Sequence, residues 1–302
     1  MRRAAAPPVL DGLRVAVAQV GARVGDVAAN LALAGRYLRQ AAGHGADLVV
    51  FPECFVQGYT VRPDALATAE AAGDPSASAL RALAARHRIA VIAGFIEANP
   101  ANPGRPYNSA LVVERDGRLA GVYRKTHLYG AEHNAFTAGD AYPVFALRLR
   151  ADRPPLPVGV AICADIEYPE VIRLLALGGS RLIAVPSADM EPFRAQQAAN
   201  LASRAIENNV YLALANTVDR RRTVTFFGGS GIAGPAGSLV SAGYGRPRLA
   251  VAELSDAEVE ASGGAGSYLR GRRPETYARL LDLQRPLRAV AGRGREIAVE
   301  RR

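Results

Sequence analysis

Three reactive side chains of different chemistry each follow a strand-like segment of the sequence. Glu53 follows DLVVFP, Lys125 follows GVYR, and Cys163 follows VGVAI. In open α/β sheets, ligand sites form outside the carboxyl ends of the strands. These strand ends therefore predict one pocket that contains an acid, a cation and a thiol.

Together these groups form a complete set for acyl transfer. A thiol is a good nucleophile only as the thiolate, so it needs a base or a cation beside it. Glu53 can take the proton if burial raises its pKa toward neutrality, and it can later give the proton to a leaving amine. Lys125 can favour the thiolate and, with a backbone N–H group just after Cys163, stabilise an oxyanion. Spacing along the chain does not by itself bring the three together.

Lys125 is also the only lysine of the chain, because the other 36 cationic side chains are all arginine. Arginine carries a planar fork of five donors, whereas lysine carries a compact charge on a flexible stem. A lysine retained in such an arginine-rich sequence indicates a position that arginine cannot fill.

The segments that position these groups alternate between strand and helix patterns. The predicted strands cover residues 12–20, 46–52, 89–97, 108–114, 119–124, 156–163, 182–186, 210–216, 231–235 and 249–254. The predicted helices cover residues 26–42, 76–87, 169–177, 192–208 and 274–283, with Ser76 as an N-cap. Mostly apolar strands indicate a parallel sheet covered on both faces. We expect one layered α/β domain over residues 1–285 and a basic tail over residues 286–302.

The composition excludes several classes of protein. Of the 302 residues, 49% are hydrophobic and 22% are charged, as in a globular protein with a sizeable core. No apolar run reaches the roughly 18 residues of a membrane span, and the N-terminus lacks the apolar segment of a secretory signal. Cys54 and Cys163 are too few for a disulfide framework. We therefore expect a cytoplasmic enzyme with free thiols and no membrane partner.

The formal net charge of +9 raises the question of nucleic-acid binding. The arginines are spread along the whole chain, and their denser groups, such as Arg220 to Arg222, are short. These groups are not interspersed with aromatic residues, as they are in proteins that bind single-stranded nucleic acids, and they match no recognised binding motif. We expect a solvated basic surface and no nucleic-acid partner.

Three separate segments of the sequence resemble the signature motifs of the nitrilase superfamily, the carbon–nitrogen hydrolases. They are FPECFVQGY at 51–59, YRKTHL at 123–128 and AICADIEYPE at 161–170. Further similar stretches are GAEHNAFTAGD at 130–140, RAIENNVYLALAN at 204–216 and SGIAGPAG at 230–237. The resemblance extends from about residue 12 to residue 283, nearly the whole chain.

This resemblance implies a four-layer αββα sandwich and a catalytic triad of Glu53, Lys125 and Cys163. It also implies that Glu132 lies in the pocket and helps to position the substrate and Lys125. The expected reaction passes through a thioester on Cys163 and needs no metal or organic cofactor. Members of the family are commonly dimers or multiples of dimers, so we expect a homodimer or a larger homo-oligomer.

The two residues after Cys163 help to distinguish an amide substrate from a nitrile. True nitrilases typically carry Trp-Glu there, whereas this chain has Ala164-Asp165 and no tryptophan. The Asp resembles amidases, and the backbone N–H group of Ala164 can serve the oxyanion. By position, Tyr59, Met190 and Phe193 are candidates for the substrate-binding walls, together with Ala164 and Asp165. We expect an amidase that releases ammonia from a small carboxamide.

Several alternatives stay open at this point. A nitrilase or an N-carbamoyl hydrolase would use the same nucleophile, and a non-catalytic scaffold would use only the basic surface. His127 or His133 could act as the base for Cys163. Arg194 could bind a substrate carboxylate, although a surface ion pair is the simpler interpretation.

The retained lysine leads to the first testable prediction. Lys125→Arg should lose most of the activity although it keeps the positive charge, because the guanidinium would crowd a carbonyl-sized pocket. Ammonia release from a panel of amides measures the effect. Near wild-type rates in this variant would show that the argument from the single lysine is wrong.

Overall fold

The computed structural model describes residues 10–263, 267–277 and 280 of the chain. The strands are β1 (Arg14–Gln19), β2 (Leu48–Val50), β3 (Ala90–Glu97), β4 (Tyr107–Val113), β5 (Leu119–Arg124), β6 (Val144–Leu147), β7 (Leu156–Val160), β8 (Leu182–Ser187), β9 (Tyr211–Asn216), β10 (Val218–Arg220), β11 (Thr225–Phe227), β12 (Gly231–Ala233), β13 (Leu239–Ser241) and β14 (Arg248–Glu253). The α-helices are α1 (Val27–Gly43), α2 (Pro63–Leu66), α3 (Pro75–His87), α4 (Glu132–Ala135), α5 (Pro169–Leu177), α6 (Arg194–Asn208) and α7 (Asp256–Ser262). Short 3-10 helices cover Cys163–Glu167 and Pro274–Thr276.

Two mixed sheets form the centre of the described part of the chain. The first has the strand order β14-β1-β2-β3-β4-β5, and the second has the order β13-β12-β9-β8-β7-β6. Strands β1, β2 and β3 run parallel, as do β7, β8 and β9. Helices α1 and α3 connect the first parallel set, and α5 and α6 connect the second. Each half therefore contains a β-α-β-α-β unit with antiparallel strands added to it.

The strands bury both of their faces, and this sets the order of the layers. In β1, Val15 and Val17 pack in the core between the two sheets, whereas Ala16 and Ala18 pack beneath α1 and α3. The strands of the second sheet divide in the same way between the inter-sheet core and the core beneath α5 and α6. The resulting αββα sandwich confirms the predicted fold class and explains the nearly continuous apolar runs of the strands.

Most predicted elements are present, but some boundaries differ. Helix α5 has the predicted limits, whereas the strand predicted to reach Cys163 ends at Val160. The prediction of Ser76 as an N-cap is wrong, because α3 begins at Pro75 with Asp74 at the N-cap position. The Oγ atom of Ser76 instead donates to the Glu70 carboxylate.

Short elements and the C-terminal region account for the other differences. Helices α2, α4 and α7 and strands β6, β10, β11 and β13 are not among the predicted elements, since they are too short to show a period. The predicted helix at 274–283 begins as a 3-10 turn at Pro274–Thr276, and residues 278–279 and 281–283 lie outside the described residues. The predicted domain end at residue 285 and the basic tail also lie outside them. Within the described ranges, no helix combines the length and apolar character needed to cross a bilayer.

Strand β3 passes close to the turn that carries Glu53. A Cβ atom on Gly94 would lie 2.3 Å from the backbone nitrogen of Cys54 and 2.6 Å from Cα of Glu53. The Gly94 N–H donates to the Pro52 carbonyl at 3.1 Å, and the Gly94 carbonyl accepts from the Val56 N–H at 3.0 Å. The missing side chain thus lets β3 hold the Glu53 turn through backbone hydrogen bonds.

This close approach leads to the second prediction. Gly94→Ala should lower the free energy of unfolding by about 1–3 kcal/mol, because the added methyl group meets backbone that cannot move aside. Urea unfolding followed by circular dichroism measures the change. The matched control is Gly43→Ala at the end of α1, where an added Cβ meets nothing within 4 Å. Equal stability of the two variants would contradict the prediction.

Candidate active site

Lys125 lies between two carboxylates in the interior of the protein. It follows β5 directly, and its Nζ atom donates to Glu53 Oε1 at 2.6 Å and to Glu132 Oε2 at 2.8 Å. The three residues are each only 1% exposed. Because a charge removed from water is costly unless it is paired, these groups hold one another in place.

The ammonium group of Lys125 stays charged in this setting. Burial lowers its pKa, but Glu53 and the nearby Cys163 and Glu132 raise it by more, so that the pKa lies well above its ordinary value. Lys125 therefore provides a fixed positive charge close to Cys163.

Glu53 has one bonded and one free carboxylate oxygen. Oε1 accepts from Lys125 and, at 2.7 Å, from Asn108 Nδ2, whereas the buried Oε2 has no hydrogen-bond partner among the described residues. Burial raises the pKa of Glu53 to about 7, although Lys125 opposes this change. Glu53 can therefore exchange a proton near neutral pH, and Oε2 is the atom available to do so.

Glu132 is held by a set of neutral donors as well as by Lys125. Its Oε1 accepts from the Tyr59 hydroxyl at 2.9 Å and from Asn108 Nδ2 at 3.4 Å, and its Oε2 accepts from the Tyr129 N–H at 2.9 Å. Asn108 thus connects both carboxylates, and it is not among the site residues predicted from the sequence. The available signal was a polar residue at the start of β4, a strand that is otherwise mostly apolar.

Cys163 occupies the first position of the 3-10 helix after β7. Its φ angle of +47° lies in the left-handed region that residues other than glycine seldom adopt. Burial raises the pKa of its thiol well above the ordinary value, followed by the effect of Asp189, and Lys125 opposes the shift. The neutral thiol donates to Asp189 Oδ1 at 3.2 Å. The resting site therefore contains a thiol that must lose its proton before it attacks.

Asp165 connects the Lys125 segment to the Cys163 segment. It is fully buried, and its Oδ2 accepts from the Tyr123 hydroxyl at 2.7 Å and from the Ile162 N–H at 2.9 Å. Its Oδ1 accepts from the Thr126 hydroxyl and from the His127 N–H, both at 2.9 Å. The structure thus gives Asp165 a positioning contact instead of the substrate contact that the sequence analysis expects.

A small pocket brings most of the predicted site residues together. It encloses about 320 Å³ of empty space, part of which is open to solvent. Its lining includes seven predicted residues, namely Tyr59, Lys125, Glu132, Cys163, Ala164, Met190 and Phe193. Glu53 is bonded to Lys125 and is not part of the lining.

Four lining residues were not predicted, namely Tyr129, Glu167, Ala188 and Asp189. Asp189 follows the end of β8, so the same strand-end argument that identified Cys163 could have found it.

The other candidates from the sequence lie elsewhere. His127 Nδ1 is 3.0 Å from Asp165 Oδ1, and its ring stacks on Tyr168 with 3.9 Å between the centroids. His133 is exposed, and neither histidine lines the pocket. Arg194 forms an ion pair with Glu191 and lines a different hollow. A Cys–His arrangement and a carboxylate contact by Arg194 therefore have no support from the geometry.

The fold and the site agree with one known family of enzymes. The model of the family described as "Carbon-nitrogen hydrolase" matches residues 14–262. The chain belongs to the carbon–nitrogen hydrolase family. The matched range contains every residue of the pocket described above.

This carbon–nitrogen hydrolase is similar over most of its length to bacterial proteins of known sequence. It is 36% identical over 268 residues to the "Hydrolase in pqqF 5'region" of Pseudomonas protegens, covering 88% of this chain and 90% of the relative. It is 32% identical over 263 residues to an (R)-stereoselective amidase of Pseudomonas sp., covering 86% and 92% of the two chains.

A solved structure supports the same assignment. The amidase from Nesterenkonia sp. superposes with a TM-score of 0.77 at 30% identity, covering 89% of this chain and 96% of the other. In a second structure, a variant of that amidase has the acetamide moiety of fluoroacetamide covalently added at its active-site cysteine. The carbon–nitrogen hydrolase described here is thus an enzyme of the nitrilase superfamily that acts on carbon–nitrogen bonds other than peptide bonds.

Proposed function

We propose that this enzyme cleaves a small carboxamide to its acid and ammonia through a thioester on Cys163. The observation that carries the proposal is the free, buried Oε2 of Glu53 beside a Lys125 charge that is already paired. A fixed cation and a thiol then line one small pocket, and a base with a pKa of about 7 is bonded to that cation. This set is sufficient for acyl transfer by general acid–base and nucleophilic catalysis.

The first half of the reaction forms the thioester. The sulfur of Cys163 bonds to the amide carbon while its proton passes to Glu53 Oε2, and the carbonyl oxygen becomes an oxyanion. The Lys125 ammonium and the Ala164 N–H stabilise this oxyanion. The C–N bond then breaks, and ammonia leaves with the proton that Glu53 returns.

The second half of the reaction restores the enzyme. Water replaces ammonia in the pocket, and Glu53 takes one of its protons as the oxygen bonds to the thioester carbon. The C–S bond breaks, the acid is released, and the sulfur regains a proton. Glu132 acts here as a positioning residue, because its two oxygens direct the Lys125 ammonium toward the pocket.

The choice of an amide over its alternatives rests on the pocket and on the relatives. Ala164-Asp165 stands where nitrilases typically carry Trp-Glu, and two of the compared relatives are amidases. Among the described residues, Lys125 is the only lysine or arginine that lines the pocket, and it is paired. An N-carbamoyl amino acid would therefore find no free cation for its carboxylate.

Several expectations from the sequence stay predictions. They are a homodimer or larger homo-oligomer, a cytoplasmic location, and a single domain over residues 1–285. The same applies to the expectation that no metal, organic cofactor, nucleic acid or membrane takes part in the function.

Capture of the thioester tests the proposal directly. The enzyme is mixed with a small aliphatic amide, quenched in acid and analysed by peptide mass spectrometry, while ammonia is measured in parallel. We expect the acyl group on the peptide that contains Cys163, and neither acyl group nor ammonia from a folded Cys163→Ala variant. Cys54→Ala, which changes the other cysteine, is the matched control and should still form the thioester. Ammonia release that persists in Cys163→Ala would falsify the mechanism.

The raised pKa of Glu53 predicts the pH dependence. Glu53 accepts a proton only when it is ionised, so kcat/KM should rise with pH and level off above about 7. Below that value it should fall about tenfold per pH unit. Glu53→Gln should lose at least about 100-fold in kcat/KM, because it removes the base at nearly constant size. A wild-type profile that is flat between pH 5 and pH 8 would contradict this role for Glu53.

A further inference from the structure

Asp189 is the carboxylate that is hydrogen-bonded directly to the nucleophile, Cys163. It follows β8, lines the pocket, and accepts from the Cys163 thiol at 3.2 Å through Oδ1. Asn216 at the end of β9 fixes its backbone, accepting from the Asp189 N–H at 2.8 Å and donating to the Asp189 carbonyl at 3.1 Å. Its position is therefore defined by two neighbouring strands of the second sheet.

Asp189 differs from Glu53 and Glu132 in having no cationic partner in direct contact. Glu53 and Glu132 share the Lys125 ammonium, whereas no lysine, arginine or histidine nitrogen of the described residues lies within 4 Å of Asp189. Glu167 adds a further carboxylate to the lining. The pocket therefore has an excess of negative charge that the protein itself does not neutralise.

This excess charge opposes the chemistry of the site as long as the pocket is empty. A thiolate at Cys163 would lie beside the Asp189 carboxylate, and like charges at that distance destabilise each other. Burial raises the pKa of Asp189, while the hydrogen bond from Cys163 and the charge of Lys125, which is not in direct contact, oppose this shift. A cation placed beside Asp189 would remove the repulsion, and the substrate is the remaining source of one.

We propose that Asp189 binds a protonated amine of the substrate, so that the preferred substrates are small carboxamides with an ammonium group on the α-carbon. The inference rests on the amidase function proposed above. At attack, the amide carbon must lie about 3–3.5 Å from the sulfur. The α-nitrogen is two bonds from that carbon, and Asp189 Oδ1 is itself 3.2 Å from the sulfur, so the two groups can meet.

Binding of such a substrate also prepares the nucleophile. The ammonium group takes over the Oδ1 acceptor, so the Cys163 thiol is released to give its proton to Glu53. The added positive charge lowers the pKa of the thiol at the same time. The lining residues that neighbour Asp189 in the chain are apolar, namely Ala188, Met190 and Phe193, which fits an amide with a small side chain.

A pair of substrates of equal shape tests the inference. Alaninamide carries an α-ammonium group where isobutyramide carries a methyl group, and an α-amine is mostly protonated at pH 7. We expect wild-type kcat/KM to be at least about tenfold higher for alaninamide, because a charge pair in a small pocket contributes strongly to binding. In Asp189→Asn this ratio should fall to about one or below.

The matched control is Asp152→Asn. Asp152 is exposed in the loop before β7, at the opposite end of that strand from Cys163, so the control should keep the wild-type ratio. A wild-type ratio near one, or an equal loss of both activities in Asp189→Asn, would overturn the ammonium subsite but leave the amidase function standing. Absence of both ammonia and thioester with either amide would overturn the amidase function and this inference with it.

Discussion

The pairing of Lys125 with Glu53 and Glu132 is the interaction on which the site depends. All three charges are buried, so each must be satisfied by its neighbours, and together they leave little freedom of position. Asn108, Tyr59 and the Tyr129 N–H occupy further carboxylate lone pairs. Glu53 Oε2 is left over, and burial raises the pKa of Glu53 to about 7 although Lys125 opposes this change.

The same pairing determines the charge of the pocket. Two carboxylates pair with the Lys125 ammonium directly, whereas Asp189 forms no ion pair with it and feels its charge only at longer range. The proposed mechanism and the proposed substrate class therefore have one physical origin. In these two proposals, catalysis uses the paired cation, and specificity comes from Asp189, which has no cation in direct contact.

The fold was largely predictable because its strands are buried on both faces. Apolar runs such as DLVVF and GVAI are typical of strands in a parallel sheet that has another layer packed on each face. Helix α5 was predicted to the residue, since Pro169 at its start and Gly178-Gly179 at its end are clear signals. Helix α4, which carries Glu132, has four residues and no period of its own. Contacts of the folded chain, above all the hydrogen bond from the Tyr129 N–H to the Glu132 carboxylate, stabilise that turn.

The sequence by itself determined the layered fold and the types of residue that do the chemistry. The single lysine, the acid and the thiol are visible because each follows a strand and belongs to a motif of the family. Only the tertiary structure decided how these groups are paired, since hydrogen bonds between Asn108, Glu53 and Glu132 join positions far apart in the chain. In the folded chain Asp165 accepts a hydrogen bond from the Tyr123 hydroxyl and does not line the pocket. Asp189, in contrast, lies beside Cys163. Burial and pairing depend on all neighbours in space, and no local pattern of residues records them.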